Sequence, residues 1–166
     1  MSHRSPLLAI AENLAKAHWD TVVLEPKTPD LAVSAAQWQS AQEAINKIDS
    51  SSRKILLIYG PVDAKFQKDS ESPAKSMDAL VFLSVQTNEE NSPTLLKWLE
   101  DVKKPVFDIT AFFDYKTVLS SASARSKKFI GDPQYRTTQI EGANHDYAEQ
   151  SVIVAKAIQG WVQNIK

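Results

Sequence analysis

Apolar residues fall into two kinds of stretch along this chain, and the two kinds alternate. Some repeat at helical spacing. Behind a Ser5-Pro6 start, Leu7, Leu8, Ala11, Leu14 and Ala15 form one apolar stripe, with serine suited to the cap and proline to the first helical turn. "SAAQWQSAQEAINKI" (34–48) repeats the pattern with Trp38, Ala41, Ile45 and Ile48 on one face. "SPTLLKWLEDVKK" (92–104) shows a second Ser-Pro start, "YKTVLSSASARSKKF" (115–129) reads as helix, and "YAEQSVIVAKAIQGWVQNIK" (147–166) is a closing amphipathic helix. Other stretches are short, β-branched and unbroken. "DTVVLEP" (20–26), "RKILLIYG" (53–60), "DALVFLSV" (78–85), "PVFDIT" (105–110) and "QYRTTQIE" (134–141) read as strands. The runs at 53–60 and 78–85 contain no alternation, which marks strands covered on both faces.

Strands separated by helices of this length predict right-handed βαβ units. The expected fold is a three-layer α/β/α sandwich around a mainly parallel sheet of about five strands. Residues 1–166 then form a single domain, since 166 residues suffice for one core and no linker or repeat interrupts the pattern. Segment 64–77, "AKFQKDSESPAKSM", is the most polar stretch and the expected place for a flap. Ligands of such sheets bind where the strands end. This points to Glu25-Pro26, Tyr59-Gly60-Pro61, Ser84-Val85, Asp108 through Asp114, and Gly142 through Asp146.

Composition narrows the chemistry. A net charge of −1 offers no basic field, so no nucleic-acid partner is expected. No apolar run approaches the roughly 20 residues of a membrane span. Zero cysteines exclude disulfides, thiol nucleophiles and thiolate metal sites. With only four glycines and no two adjacent, neither a phosphate-cradling loop nor a dinucleotide fingerprint is present, and no cofactor is expected. Three histidines, His3, His18 and His145, lack metal-ligand spacing, and a zinc site would need Asp114, Asp146 and His145 to converge; none is expected. Trp19, Trp38, Trp98 and Trp161 fall in helical or strand-flanking positions and read as core anchors. The N-terminus is not a signal peptide as it stands, because Glu12, Asn13 and Lys16 interrupt it. The compartment is open: cytoplasmic as the chain stands, periplasmic if a signal segment has been removed.

Three segments carry a family likeness: "AHWDTVVLEP", "KPVFDITAFFD" and, most specifically, "IEGANHDY". In their order they resemble the C-terminal two-thirds of an α/β-hydrolase, and more narrowly a bacterial family of hydrolase-like proteins with no assigned activity. The resemblance implies that Asp114 and His145 are the acid and histidine of a Ser-His-Asp triad, in acid-then-histidine order. It also implies a G-x-S-x-G elbow, and here the sequence departs. The matching stretch is "LLIYGPVDAKF", with Tyr59 and Asp63 at the glycine positions and Pro61 at the serine. Proline carries no nucleophile and lacks the N–H that an elbow uses.

The family's opening strands also have no counterpart before residue 5. Either the chain is part of a longer protein, or the fold has closed the gap. A gap left open would expose two strand edges, and a strand from another chain would cover them, hence an expected homodimer or protein partner. Two substitutes for the missing nucleophile are Ser84, which reads better as a hydroxyl capping the next loop, and Asp63, which reads better as an exposed first-turn acid. His145 and Asp146 themselves have a plain alternative role, bonding loop N–H groups before the last helix. The leading expectation is a non-catalytic binding or assembly module for an unidentified small molecule or protein. Its pocket is lined by Tyr59, Pro61, Phe112, Phe113, Asp114, His145 and Asp146. The competing expectation is an active esterase-type hydrolase using His145 and Asp114 with an unrecognised nucleophile.

Overall fold

A computed structural model describes residues 6–27, 32–62, 76–89 and 92–165. Ser5, His3 and Asp63 lie outside the described residues, as does segment 64–77 except for its last two positions. Helices and strands alternate as the apolar pattern predicts: α1 (Pro6–Lys16), β1 (Trp19–Leu24), α2 (Ala35–Lys47), β2 (Arg53–Pro61), β3 (Ala79–Gln86), α3 (Ser92–Val102), β4 (Val106–Phe113), α4 (Lys116–Lys128), β5 (Tyr135–Asn144) and α5 (Ser151–Val162). The strands form one parallel sheet in the order β1-β2-β3-β4-β5.

The core divides at the sheet. Odd-numbered positions of β2, such as Ile55 and Leu57, join Val81, Leu83, Ile109 and Ala111 under α1 and α5. Even-numbered Leu56 and Ile58 join Leu80, Phe82 and Val85 under α2 and α3. Because β2 and β3 are covered on both sides, the middle of β2 and all but the last residue of β3 are buried, which is why their sequences show no polar alternation. All four tryptophans are buried between helices and sheet. Local signals agree with the packing. Ser34 accepts a hydrogen bond from the Gln37 N–H and Gln37 accepts one from the Ser34 N–H, a capping box that fixes the start of α2.

Three expectations need correction. First, β1 and β2 pair directly, from Trp19↔Arg53 to Leu24↔Ile58. The sheet has no gap between them, so the argument for a partner strand in that gap loses its premise. Second, β4 runs three residues beyond Thr110, to Phe113, and Asp108 lies inside the strand with no exposed surface. Third, α5 starts at Ser151 and not at Tyr147, because Tyr147 adopts a left-handed backbone (φ 53°) that no right-handed helix accommodates.

Asp108 explains how α4 docks. That helix buries little apolar surface: Val118 and Ala122, beside the polar Ser121 and Arg125. Arg125 instead reaches the sheet and grips Asp108 with two bonds, Nε to Oδ2 at 2.6 Å and Nη2 to Oδ1 at 3.0 Å. Its remaining donors reach the Ser121 hydroxyl (2.9 Å) and the Val85 carbonyl (3.0 Å), and its guanidinium lies 5.5 Å from the centre of the Phe82 ring. Tyr135 of β5 donates its hydroxyl to the same carboxylate. Both ions are buried, and four of the five guanidinium N–H groups and both carboxylate oxygens are hydrogen-bonded, close to the condition under which a buried pair does not destabilise the fold.

Removing one ion alone strands the other in the core. Asp108→Ala is expected to lower unfolding free energy by about 3–5 kcal/mol in urea titrations. An Arg125→Met, Asp108→Leu double variant should recover most of that loss, because no uncompensated charge remains.

Candidate functional site

Bulges interrupt the pairing at the carboxyl ends of β3 and β5, where the polar residues gather. β2 and β3 pair in register up to Tyr59↔Leu83, after which Pro61 faces Gln86. Gly60 alone therefore opposes both Ser84 and Val85, and Gly60 (φ 77°) and Ser84 (φ 47°) absorb the mismatch in left-handed conformations. At β5 the pairing passes from Ala111↔Ile140 to Phe113↔Asn144, so the single Phe112 opposes Glu141, Gly142 and Ala143. Gly142 turns with φ 71°, and the chain swings His145 toward β4.

Asp114, just past β4, sits where these ends meet. Its side chain is fully buried and accepts from four donors. The Ala111 N–H (2.9 Å) and the Ser84 hydroxyl bond Oδ2. The Tyr115 N–H (3.2 Å) and His145 Nδ1 (2.6 Å) bond Oδ1. A carboxylate is an acceptor only, so the imidazole donates from Nδ1, and in its neutral form it presents the Nε2 lone pair on its other side. The ring is 19% exposed, enough for Nε2 to meet a ligand.

A second layer holds this pair. The single hydroxyl proton of Ser84 goes to Asp114, so Tyr147 is the donor in its 2.8 Å contact with Ser84 Oγ. Tyr147 is buried, and burial pushes its phenol above the ordinary tyrosine value. Two aromatic rings flank the imidazole: Tyr59 at 5.3 Å and Tyr115 at 4.5 Å between centres. Tyr59 also donates to the His145 carbonyl at 3.4 Å. Its own phenol is pushed up by burial first, then by the charges of Asp146 and Asp114.

The residues singled out in sequence fare differently. Asp114 and His145, 31 positions apart, are brought into contact. Tyr59 joins them. Asp146 serves the local backbone, accepting from the Ala148 N–H at 3.1 Å. Phe112 and Phe113 are 51% and 62% exposed and pack edge to face on each other at 4.9 Å; the rings against His145 are the two tyrosines. Pro61 is held as extended strand. Its carbonyl accepts from Val33 N (3.1 Å), and the next residue, Val62, donates to the Gln86 carbonyl (3.0 Å). Ser84 does not cap the following loop. Its left-handed backbone turns the hydroxyl across to β4, a geometry that nothing in "FLSVQT" signals. Tyr115 and Tyr147 were missed, although both adjoin the segments that carry Asp114 and His145.

Among the described residues no hydroxyl is hydrogen-bonded to the His145 ring, and no group of three His, Cys, Asp or Glu side chains is placed to hold a metal ion. No helix among them is long and apolar enough to cross a membrane. Scans against protein-family models and curated proteins find no match for the chain.

Tyr147 predicts an alkaline instability. The folded state keeps its phenolic proton above pH 10, where the unfolded chain releases it, so the unfolded state binds fewer protons and stability falls as pH rises. The loss should be about 1.4 kcal/mol per pH unit above pH 10 from this residue. Urea titrations at pH 9 to 11 should show a shallower slope for Tyr147→Phe. Ser84→Ala leaves the Tyr147 hydroxyl only its 3.3 Å bond to the Ile109 carbonyl and takes one donor from buried Asp114, and should cost about 1–3 kcal/mol at neutral pH.

Proposed function

We propose that this chain is a binding module of α/β-hydrolase-like descent. In this reading Asp114 and His145 hold a small-molecule ligand at the carboxyl ends of the strands and do not activate a nucleophile. The observation that carries it is the backbone at residues 60–62. A nucleophile elbow needs a sharp strand–turn–helix bend that lifts a serine above the sheet. Here Pro61 continues β2, and the Pro61 carbonyl and Val62 N–H are bonded to neighbours on opposite sides, Val33 and Gln86. Ser84 gives no substitute, because its hydroxyl proton is committed to Asp114 and its side chain is buried.

One observation favours the competing hydrolase reading. A buried carboxylate that fixes the imidazole tautomer at 2.6 Å is the arrangement a general base requires. That reading needs a nucleophile that is a water or an unidentified group.

A screen of p-nitrophenyl esters of graded chain length decides between them. The binding reading expects the wild-type chain and His145→Ala to hydrolyse all of them at the same background rate. Turnover at least about a hundredfold above background and abolished by His145→Ala would establish the hydrolase instead, since general-base catalysis contributes about 10²–10⁴-fold.

A further inference from the structure

The groups around His145 specify what charge a ligand should carry. Imidazole Nδ1 is spent on Asp114, so in the neutral ring Nε2 remains as a hydrogen-bond acceptor. Carboxylates lie at the same carboxyl ends of the strands. Asp114 is in contact with the ring at 2.6 Å and fully buried, Asp146 follows His145 in the chain, and Glu25 follows β1. The charges of Asp146, Asp114 and Glu25 also push the Tyr59 phenol up, after burial. The nearest cations along the chain, Lys27 and Lys116, are exposed, and among the described residues no Lys or Arg is ion-paired with Glu25, Asp114 or Asp146. The walls are aromatic. Tyr115 is 61% exposed with its ring 4.5 Å from the imidazole, and Tyr59 closes the other side. Such a site offers acceptors, a buried carboxylate and π faces, and among the described residues no paired Lys or Arg stands at it to bind carboxylates or phosphates.

Building on the binding reading above, we propose that the ligand of the His145 site is a small organic ammonium with an aromatic or alkyl body. Its N–H donates to His145 Nε2, its charge is met by the Asp146 and Glu25 carboxylates, and its body lies against Tyr115. A desolvated cation gains from an aromatic face, and a charged donor strengthens the hydrogen bond to the imidazole. An anionic ligand of the same shape would face like charge from Asp114 and Asp146.

Three isosteres separate charge from shape: benzylammonium, benzyl alcohol and benzoate. Each is titrated at neutral pH into ¹⁵N-labelled protein while the His145 ring resonances are followed, assigned by comparison with His145→Gln. Benzylammonium is expected to shift them saturably, benzyl alcohol to bind at least about tenfold more weakly, and benzoate not to bind. Tyr115→Ala, an exposed position whose fold is checked by circular dichroism, should weaken benzylammonium by about tenfold, a loss of about 1.4 kcal/mol. Benzyl alcohol binding as tightly as benzylammonium would overturn the ammonium class and leave a binding site standing. So would tighter binding of benzoate. A response unchanged in Tyr115→Ala would place the cation elsewhere and overturn the proposal. No shift of His145 with any of the three probes would overturn both this proposal and the binding reading.

Discussion

Strands buried on both faces leave almost no room for a polar side chain, and this constraint organises the molecule. β2 and β3 are apolar throughout their middle because α1 and α5 cover one face and α2 and α3 the other. A polar group has two ways to exist in such a sheet: at a strand end, or inside with a complete set of partners. Asp108 takes the second way. Arg125, Tyr135 and Asp108 satisfy one another in the core, and the same contact supplies the docking that the weakly apolar α4 would otherwise lack. The buried ion pair is thus as much a packing element as an electrostatic one.

Asp114 takes the first way. Its carboxylate accepts from β3 through Ser84, from the loop after β5 through His145, and from the backbone N–H groups of Ala111 and Tyr115. Three chain ends are tied to one buried acid, and the position of His145 follows from that tie. The bulges at Gly60 with Ser84, and at Gly142, make it possible, because each adds left-handed residues that turn a strand end away from the ladder. Strained, left-handed Ser84 is held there by its bonds to Asp114 and Tyr147, an arrangement that orients the imidazole at the cost of a free hydroxyl. Retained orientation without a poised nucleophile is what the proposed binding role makes use of.

The alternation of elements, the parallel sheet and the depth of β2 and β3 were legible along the chain, since helical and strand periods and unbroken apolar runs are local properties. Element ends were less so. β4 continues past Thr110 because Ala111 and Phe113 still find partners on β5, and α5 is delayed because Tyr147 takes a left-handed backbone. Neither is a property of the residues alone. The Asp108–Arg125 pair was not foreseen: its members are 17 positions apart on different elements, and either reads by itself as an ordinary surface charge.

For the site, the sequence by itself determined which chemistry is available: one histidine and one acid in suitable loops, and a proline where a hydrolase would carry serine. Those follow from residue type and order. Only the tertiary structure decided that Asp114 and His145 meet, that Ser84 is turned to the acid and not to the imidazole, that Tyr59 and Tyr115 form the walls in place of Phe112 and Phe113, and that β1 closes directly on β2. The physical reason is common to all four. Each depends on the register between strands distant in sequence and on bulges within it, and a shift of one residue turns a side chain to the opposite face.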